Sequence, residues 1–162
     1  MTPSLPIMDG LGRPAEFPSL GAGTQYRIPR RGARPLAFSG TQLAMAMSFT
    51  PGLPYWYELN IYRTSDQRFV LVVKLFHVAE EQKDTVDAWA FDTLPEVFDA
   101  LETHDAARDV VADLDAMQMG VRRVELAARA LELRARIAAA RQHFAGLMGE
   151  LFAEMDAVAD AA

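Results

Sequence analysis

The stretch from Tyr55 to Val78 constrains the fold most, because it holds two apolar runs joined by a short polar turn. The first run alternates with period two and places Tyr55, Tyr57, Leu59 and Ile61 on one face, as a β-strand does. The second run, 69–78, is apolar on both faces except at Lys74 and His77, so it must be covered on both sides. The turn at 64–67 is short and polar, which predicts an antiparallel hairpin.

Two further stretches flank this hairpin and show the same alternation. Residues 36–49 and 85–91 each place large apolar side chains on one face and smaller or polar ones on the other. Four strands in sequence with short connections predict a four-stranded antiparallel β-meander. A sheet with one apolar face needs a helix or a second sheet packed against it.

Helices are predicted after residue 92. Thr93 and Glu96 form a capping-box pattern around Pro95, which marks the start of a short helix. A second short helix is expected from Asp105 to Met119, before Gly120. From residue 121 onward no proline interrupts a segment rich in Ala, Leu, Glu and Arg, which predicts a long amphipathic helix of roughly 57 Å. The fold class is therefore α+β.

One apolar stripe runs along this last helix in steps of three and four residues, as in a coiled-coil seam. A second stripe accompanies it in the first half of the helix, so we expect more than one neighbour there. Gly146 and Gly149 permit a kink, and a helical hairpin is the alternative to one long helix. The side chains that we expect as buried interface anchors are Leu126, Leu133, Ile137, Phe144, Leu147 and Leu151.

Residues 1–35 contain six of the nine prolines, which predicts an extended Pro/Gly-rich arm rather than a long helix or strand. The domain organisation expected from the sequence is this arm, a meander with covering helices over 36–120, and the helical segment 121–162. Four arginines of the arm, Arg27, Arg30, Arg31 and Arg34, lie within eight residues that contain no acid. They either bind phosphate groups or pair with acids of the same protein or a neighbouring subunit.

Charge is distributed unevenly along the chain. Residues 80–115 contain twelve acids against Lys83 and Arg108, whereas residues 122–141 contain six arginines against Glu125 and Glu132. These two regions are complementary, so they either bind each other within one molecule or set register and partner choice between molecules.

Composition and motifs exclude several chemistries. The chain has no cysteine, which removes disulfides, thiolate metal ligands and thiol nucleophiles. Its three histidines lie in different predicted elements, and no phosphate-binding loop, serine-hydrolase or zinc-protease motif is present. We therefore expect no catalytic residues, no metal and no cofactor. The sequence has neither a secretory signal pattern nor a membrane-spanning apolar run, which favours a soluble cytoplasmic protein.

These observations favour a non-catalytic interaction or scaffolding subunit. It would self-associate, or dock onto a larger protein complex, through the C-terminal helix and the N-terminal arm. One alternative is a regulatory nucleic-acid-binding protein that uses the arginines of residues 27–34. A second alternative is a small-ligand-binding module with a pocket between sheet and helices.

Overall fold

The structure is a computed structural model that describes residues 23–49, 54–110 and 123–160. It has an α+β fold in which a curled antiparallel sheet is covered on one face by helices. The strands are β1 (Thr24–Arg30), β2 (Ala33–Met47), β3 (Tyr55–Thr64), β4 (Phe69–His77) and β5 (Thr85–Phe91), and they are adjacent in sequence order. The helices are α1 (Leu94–Thr103) and α2 (Arg123–Asp160), with a short 3₁₀ turn at Ala106–Asp109.

The central hairpin is confirmed as predicted. Strands β3 and β4 pair without a register shift from Tyr55 opposite His77 to Arg63 opposite Phe69. Both strands are buried over most of their length, because helices lie on one face and the curl of the sheet covers part of the other.

The predicted number of strands was wrong, since the sheet has five strands rather than four. Residues 24–30, which the prolines assign to an extended arm, form β1 and pair with β2. The ladder shifts register between Ile28 and Arg30, at Pro29, which has no N–H to donate. Tyr26 and Ile28 still alternate inward, so the strand keeps one apolar face. Residues 1–22 of the expected arm lie outside the described residues.

The main core lies between the sheet and the helices. Tyr57, Leu59 and Ile61 of β3 face it, together with Leu71, Val73 and Leu75 of β4. Helix α1 contributes Val97 and Leu101, while the second half of α2 contributes Ala140, Phe144, Leu147, Leu151 and Met155. A hydrogen bond of 3.1 Å from the Met45 backbone N–H to the Glu154 carboxylate also joins α2 to β2.

On the face away from the helices, the sheet curls so far that its first strand, β1, contacts its last strand, β5. The Arg31 backbone N–H donates to the Val86 carbonyl at 3.0 Å, and the Arg31 guanidinium pairs with Asp87 at 2.7 Å. This closure encloses a second, smaller core that contains Tyr62, Val70, Val72 and Ala88 and borders the rings of Tyr26 and Phe38. Part of the face away from the helices is therefore covered by the curled sheet itself.

The helices agree with prediction in two of three cases. Helix α1 begins at the predicted capping box, where the Thr93 N–H donates to the Glu96 carboxylate at 2.9 Å. The long C-terminal helix is confirmed, and it runs without interruption through Gly146 and Gly149 over 38 residues. In place of the start of the second short helix, the described part of 105–119 holds only the 3₁₀ turn. Residues 111–119 of that predicted helix lie outside the described chain.

The close contact of β2 with β3 at Gly40 gives a test of the register. A Cβ added at Gly40 would collide with the Arg63 carbonyl oxygen and lie 2.9 Å from the Thr64 Cα. We expect Gly40→Ala to lower the free energy of unfolding by about 1–3 kcal/mol, since backbone must shift. Gly149→Ala is the matched control, because a Cβ there meets no atom within 4 Å. Gly149→Ala should raise the free energy of unfolding by up to about 1 kcal/mol, as measured by urea titration. If Gly40→Ala and Gly149→Ala changed the free energy of unfolding equally, the register of β2 on β3 would be contradicted.

Candidate functional site: the helix arm and the sheet patch

The first half of α2 is the most exposed regular element among the described residues. We call residues 123–139 the helix arm; none of them is buried, and the first buried residue of α2 is Ala140. Leu126 is 52% exposed and Leu131 is 65% exposed, whereas Leu133 and Ile137 are half-buried. At 1.5 Å per residue the arm is roughly 25 Å long. Covering these exposed apolar side chains with a neighbour would be favourable, because it removes apolar surface from water.

The arm is apolar on two opposite sides. Leu126, Ala130, Leu133 and Ile137 continue the stripe that packs on the sheet from Ala140 onward, and we call these four residues the seam. Leu131 lies nine residues before Ala140, or about two and a half turns, so it faces away from the seam. By the same geometry Arg123 and Arg134 line one side of the seam, while Arg129 and Arg136 line the other.

A second exposed apolar surface lies on the sheet, on the face away from the helices. Cross-strand pairing places Met45 and Met47 of β2 beside Asn60 and Glu58 of β3, on the face that also carries Trp56. Phe49 is 57% exposed and Val78 is 63% exposed. We call this surface the sheet patch, and its members are Met45, Met47, Phe49, Trp56, Phe76 and Val78.

Aromatic contacts make the sheet patch a rigid surface. The Trp56 and Phe76 rings stack with centroids 5.2 Å apart, and Phe49 meets Trp56 edge-on at 5.3 Å. A polar row lies next to the Trp56 and Phe76 stack on β3 and β4, where Glu58 accepts hydrogen bonds from Lys74 and Asn60, both at 2.8 Å. Met45 and Met47 of β2 lie beside this row, opposite Asn60 and Glu58. The patch is thus an apolar surface that borders a polar row.

Acidic side chains border both the sheet patch and the α1 side of the molecule. Glu80 and Glu81 follow two and three residues after Val78 and are exposed, as are Asp99 and Glu102 on α1. Arg141 of α2 already pairs with an acid that follows α1, since its Nε and Nη2 donate to the Asp105 carboxylate at 2.9 and 2.8 Å. The four arginines that flank the seam form no ion pair with any residue that the structure describes.

The six predicted interface anchors divide into two groups. Phe144, Leu147 and Leu151 lie in the chain's own core, where they contact the sheet. Leu126, Leu133 and Ile137 lie in the helix arm, on the seam. Sequence reasoning did not identify the sheet patch as a site, although the apolar side chains on both faces of 45–49 were a signal for it.

The four arginines of residues 27–34, for which the sequence leaves phosphate binding or pairing with acids open, do not form one free cluster. Arg31 pairs with Asp87, and the Arg30 Nε donates to the Arg34 carbonyl at 2.7 Å. Arg27 is exposed and points to the opposite side of β1 from Tyr26 and Ile28. At least one of the four therefore stabilises the curl of the sheet.

A buried polar cluster lies beneath the start of the packed half of α2. The Asp109 carboxylate accepts hydrogen bonds from the Tyr57 hydroxyl at 2.9 Å and from the His104 Nε2 at 3.1 Å. The His104 ring also stacks on Phe144, with centroids 4.5 Å apart. Burial raises the pKa of Asp109, but the hydrogen bonds from His104 and Tyr57 outweigh it and hold the pKa below its ordinary value. Burial first, and the Asp109 carboxylate second, raise the pKa of Tyr57 well above its usual range.

This cluster ties the 3₁₀ turn to the sheet and to α2. Among the described residues no group of three or more His, Asp or Glu side chains is placed to hold a metal ion. None of the described helices has the length and apolar character needed to cross a membrane. Comparison of the chain with protein-family models, curated proteins and solved structures finds no match.

The buried cluster makes a prediction about stability. Tyr57→Phe removes one donor from a buried carboxylate, so we expect the free energy of unfolding at neutral pH to fall by about 1–3 kcal/mol. Because the folded-state pKa of Asp109 is depressed, its contribution is present above the ordinary value of 3.8 and is lost as pH falls through the folded-state pKa.

Urea titrations from neutral to acidic pH check both points. Asp109→Asn should destabilise the protein at neutral pH and flatten the loss of stability below the ordinary Asp pKa. Asp105→Asn is the control, because its ion pair with Arg141 is exposed and should contribute less at neutral pH. Equal destabilisation by the two Asn variants would contradict a structural role for the buried cluster.

Proposed function

We propose that the protein is a non-catalytic interaction subunit that self-associates, with the helix arm of one copy docked on the sheet patch of another. The observation that carries this proposal is the exposed seam of the arm, which continues a stripe that packs on the sheet for the rest of α2. An amphipathic helix that lays its apolar face on an apolar surface is a common mode of protein recognition.

Charge favours the sheet patch as the surface that receives the arm. Arginines line both sides of the seam, and acids such as Glu80 and Glu81 border the patch. Two arms paired seam to seam in antiparallel orientation would bring the Arg123 and Arg134 sides of both helices together, and these like charges repel each other. Docking an arginine-flanked helix on an acid-bordered patch instead gives complementary contacts.

A second copy of this chain is the occupant that the described surfaces support. One chain carries both halves of the contact, so two copies related by a two-fold axis would make the same contact twice. The apolar residues of the arm and of the patch would both be covered. Within a single chain, one arginine of α2 already pairs with an acid from the acidic region, since Arg141 binds Asp105.

Molar mass in solution, measured by light scattering after size exclusion, tests this proposal. We expect the wild-type chain to be a dimer, and we expect Leu126→Asp in the seam and Met47→Asp in the patch each to give monomers. Burying an unpaired carboxylate at a contact costs several kcal/mol, enough to dissociate a dimer of moderate affinity. Leu131→Asp is the matched control, because it makes the same exchange on the opposite side of the arm and should leave the mass unchanged.

Crosslinking identifies the two surfaces directly, since the chain has no cysteine of its own. Mixing Leu126→Cys chains with differently tagged Met47→Cys chains should give a disulfide between the two tags under mild oxidation. Neither Ala153→Cys, on the exposed side of the packed half of α2, nor Leu131→Cys should crosslink to Met47→Cys. A monomeric wild-type chain, or a dimer that keeps its mass with both Leu126→Asp and Met47→Asp, would refute the proposal.

A further inference from the structure

A cavity of about 230 Å³ lies where the helix arm joins the packed half of α2. Its walls come from β3, β4, the residues after α1 and α2. Tyr55, Tyr57, Leu75, Ala139 and Ala140 give it a mainly apolar lining. Small-molecule sites have this character, and most have volumes of roughly 300–1,000 Å³, so an occupant here would be smaller than a typical drug.

The polar groups of the cavity are mostly hydrogen-bond donors. Arg136 from the arm lines it, as do His77 and His143. Among the described residues of the lining, Asp109 is the one carboxylate, and it already accepts hydrogen bonds from Tyr57 and His104. The described part of the lining therefore offers a cation and several donors, while its acid is engaged with protein partners.

His77 contributes a largely buried ring to the cavity wall. Its side chain is only 10% exposed, yet its Nδ1 has no hydrogen-bond partner among the described residues. The nearest acid, Asp84, is 4.0 Å from this nitrogen and instead accepts the His77 backbone N–H at 2.9 Å. This nitrogen is shielded from solvent on the Asp84 side, so a ligand would meet the part of the His77 ring that lines the cavity.

We propose that this cavity binds a small monocarboxylate with an apolar ring or short chain. The apolar part would pack between Tyr55, Leu75 and Ala140. The carboxylate would accept hydrogen bonds from Arg136 at the rim and from His77 within the cavity. Guanidinium binding of a carboxylate is charge-assisted and geometrically specific, which selects an acid over a neutral analogue.

This inference goes beyond self-association and does not rest on it. The seam residues Leu126 and Leu133 do not line the cavity, so a chain with Leu126→Asp should still bind the ligand. Burial raises the pKa of Tyr55, and the Arg136 guanidinium partly counteracts this, which agrees with Arg136 lying close to the cavity wall.

The test uses phenylacetate and its neutral analogue phenylacetamide, titrated into the full chain and followed by NMR. We expect saturable shifts of the Tyr55, Leu75 and Ala140 amide signals and of the His77 side chain with phenylacetate. Phenylacetamide should bind at least about tenfold more weakly, because it lacks the charge-assisted hydrogen bonds. The Leu126→Asp chain should bind phenylacetate at least as tightly, because Arg136 then has no acids of a second copy beside it, and this separates the outcome from that of the self-association test.

Three variants make the assignment specific. Arg136→Gln should weaken phenylacetate binding about tenfold and leave phenylacetamide unchanged, whereas Arg27→Gln, on the distant β1, should change neither. Ala139→Trp should fill the cavity and abolish binding of both probes, with its β-sheet NMR signals showing that it is folded. The proposal is overturned if phenylacetate gives no saturable shift, if both probes bind equally, if Arg27→Gln matches Arg136→Gln, or if folded Ala139→Trp still binds.

Discussion

The packing of the second half of α2 on the sheet is the interaction on which the rest of the structure depends. Phe144, Leu147, Leu151 and Met155 fill the main core, and each fully buried side chain of this kind contributes about 1.5–3 kcal/mol. This contact fixes the direction of a long continuous helix. The helix arm is consequently held out as an extension of an element whose other end is anchored.

The curl of the sheet explains why one face carries both a core and an exposed surface. Strand β1 reaches β5 at one end, where the Arg31 contacts close the sheet over Tyr62 and its neighbours. At the other end β1 no longer covers the face, so Met45, Met47 and Phe49 stay exposed. On β3 and β4 the row formed by Glu58, Lys74 and Asn60 lies between the Trp56 and Phe76 stack and the second core, and its side chains hydrogen-bond to each other.

Local patterns were sufficient for most of the fold. Period-two alternation found β2, β3 and β5, a continuous apolar run found β4, and the capping box found the start of α1, because these signals depend on neighbours in the sequence. Strand β1 was missed because Pro29 and Pro35 read as interruptions. The ladder tolerates Pro29 at a register shift, where no N–H is needed. The second short helix was expected to begin at Asp105, but the chain forms a 3₁₀ turn there. This turn is held by the hydrogen bonds of Asp109 with Tyr57 and His104.

The sequence by itself determined that one stripe of α2 is apolar, since a spacing of three and four residues places those side chains on one side of any helix. Only the tertiary structure decided that Phe144, Leu147 and Leu151 meet the sheet, whereas Leu126 remains exposed. Periodicity states which residues share a face but contains no information about what that face meets. The length of the sheet and the position at which α2 crosses it set that boundary, and both depend on contacts between residues far apart in the chain.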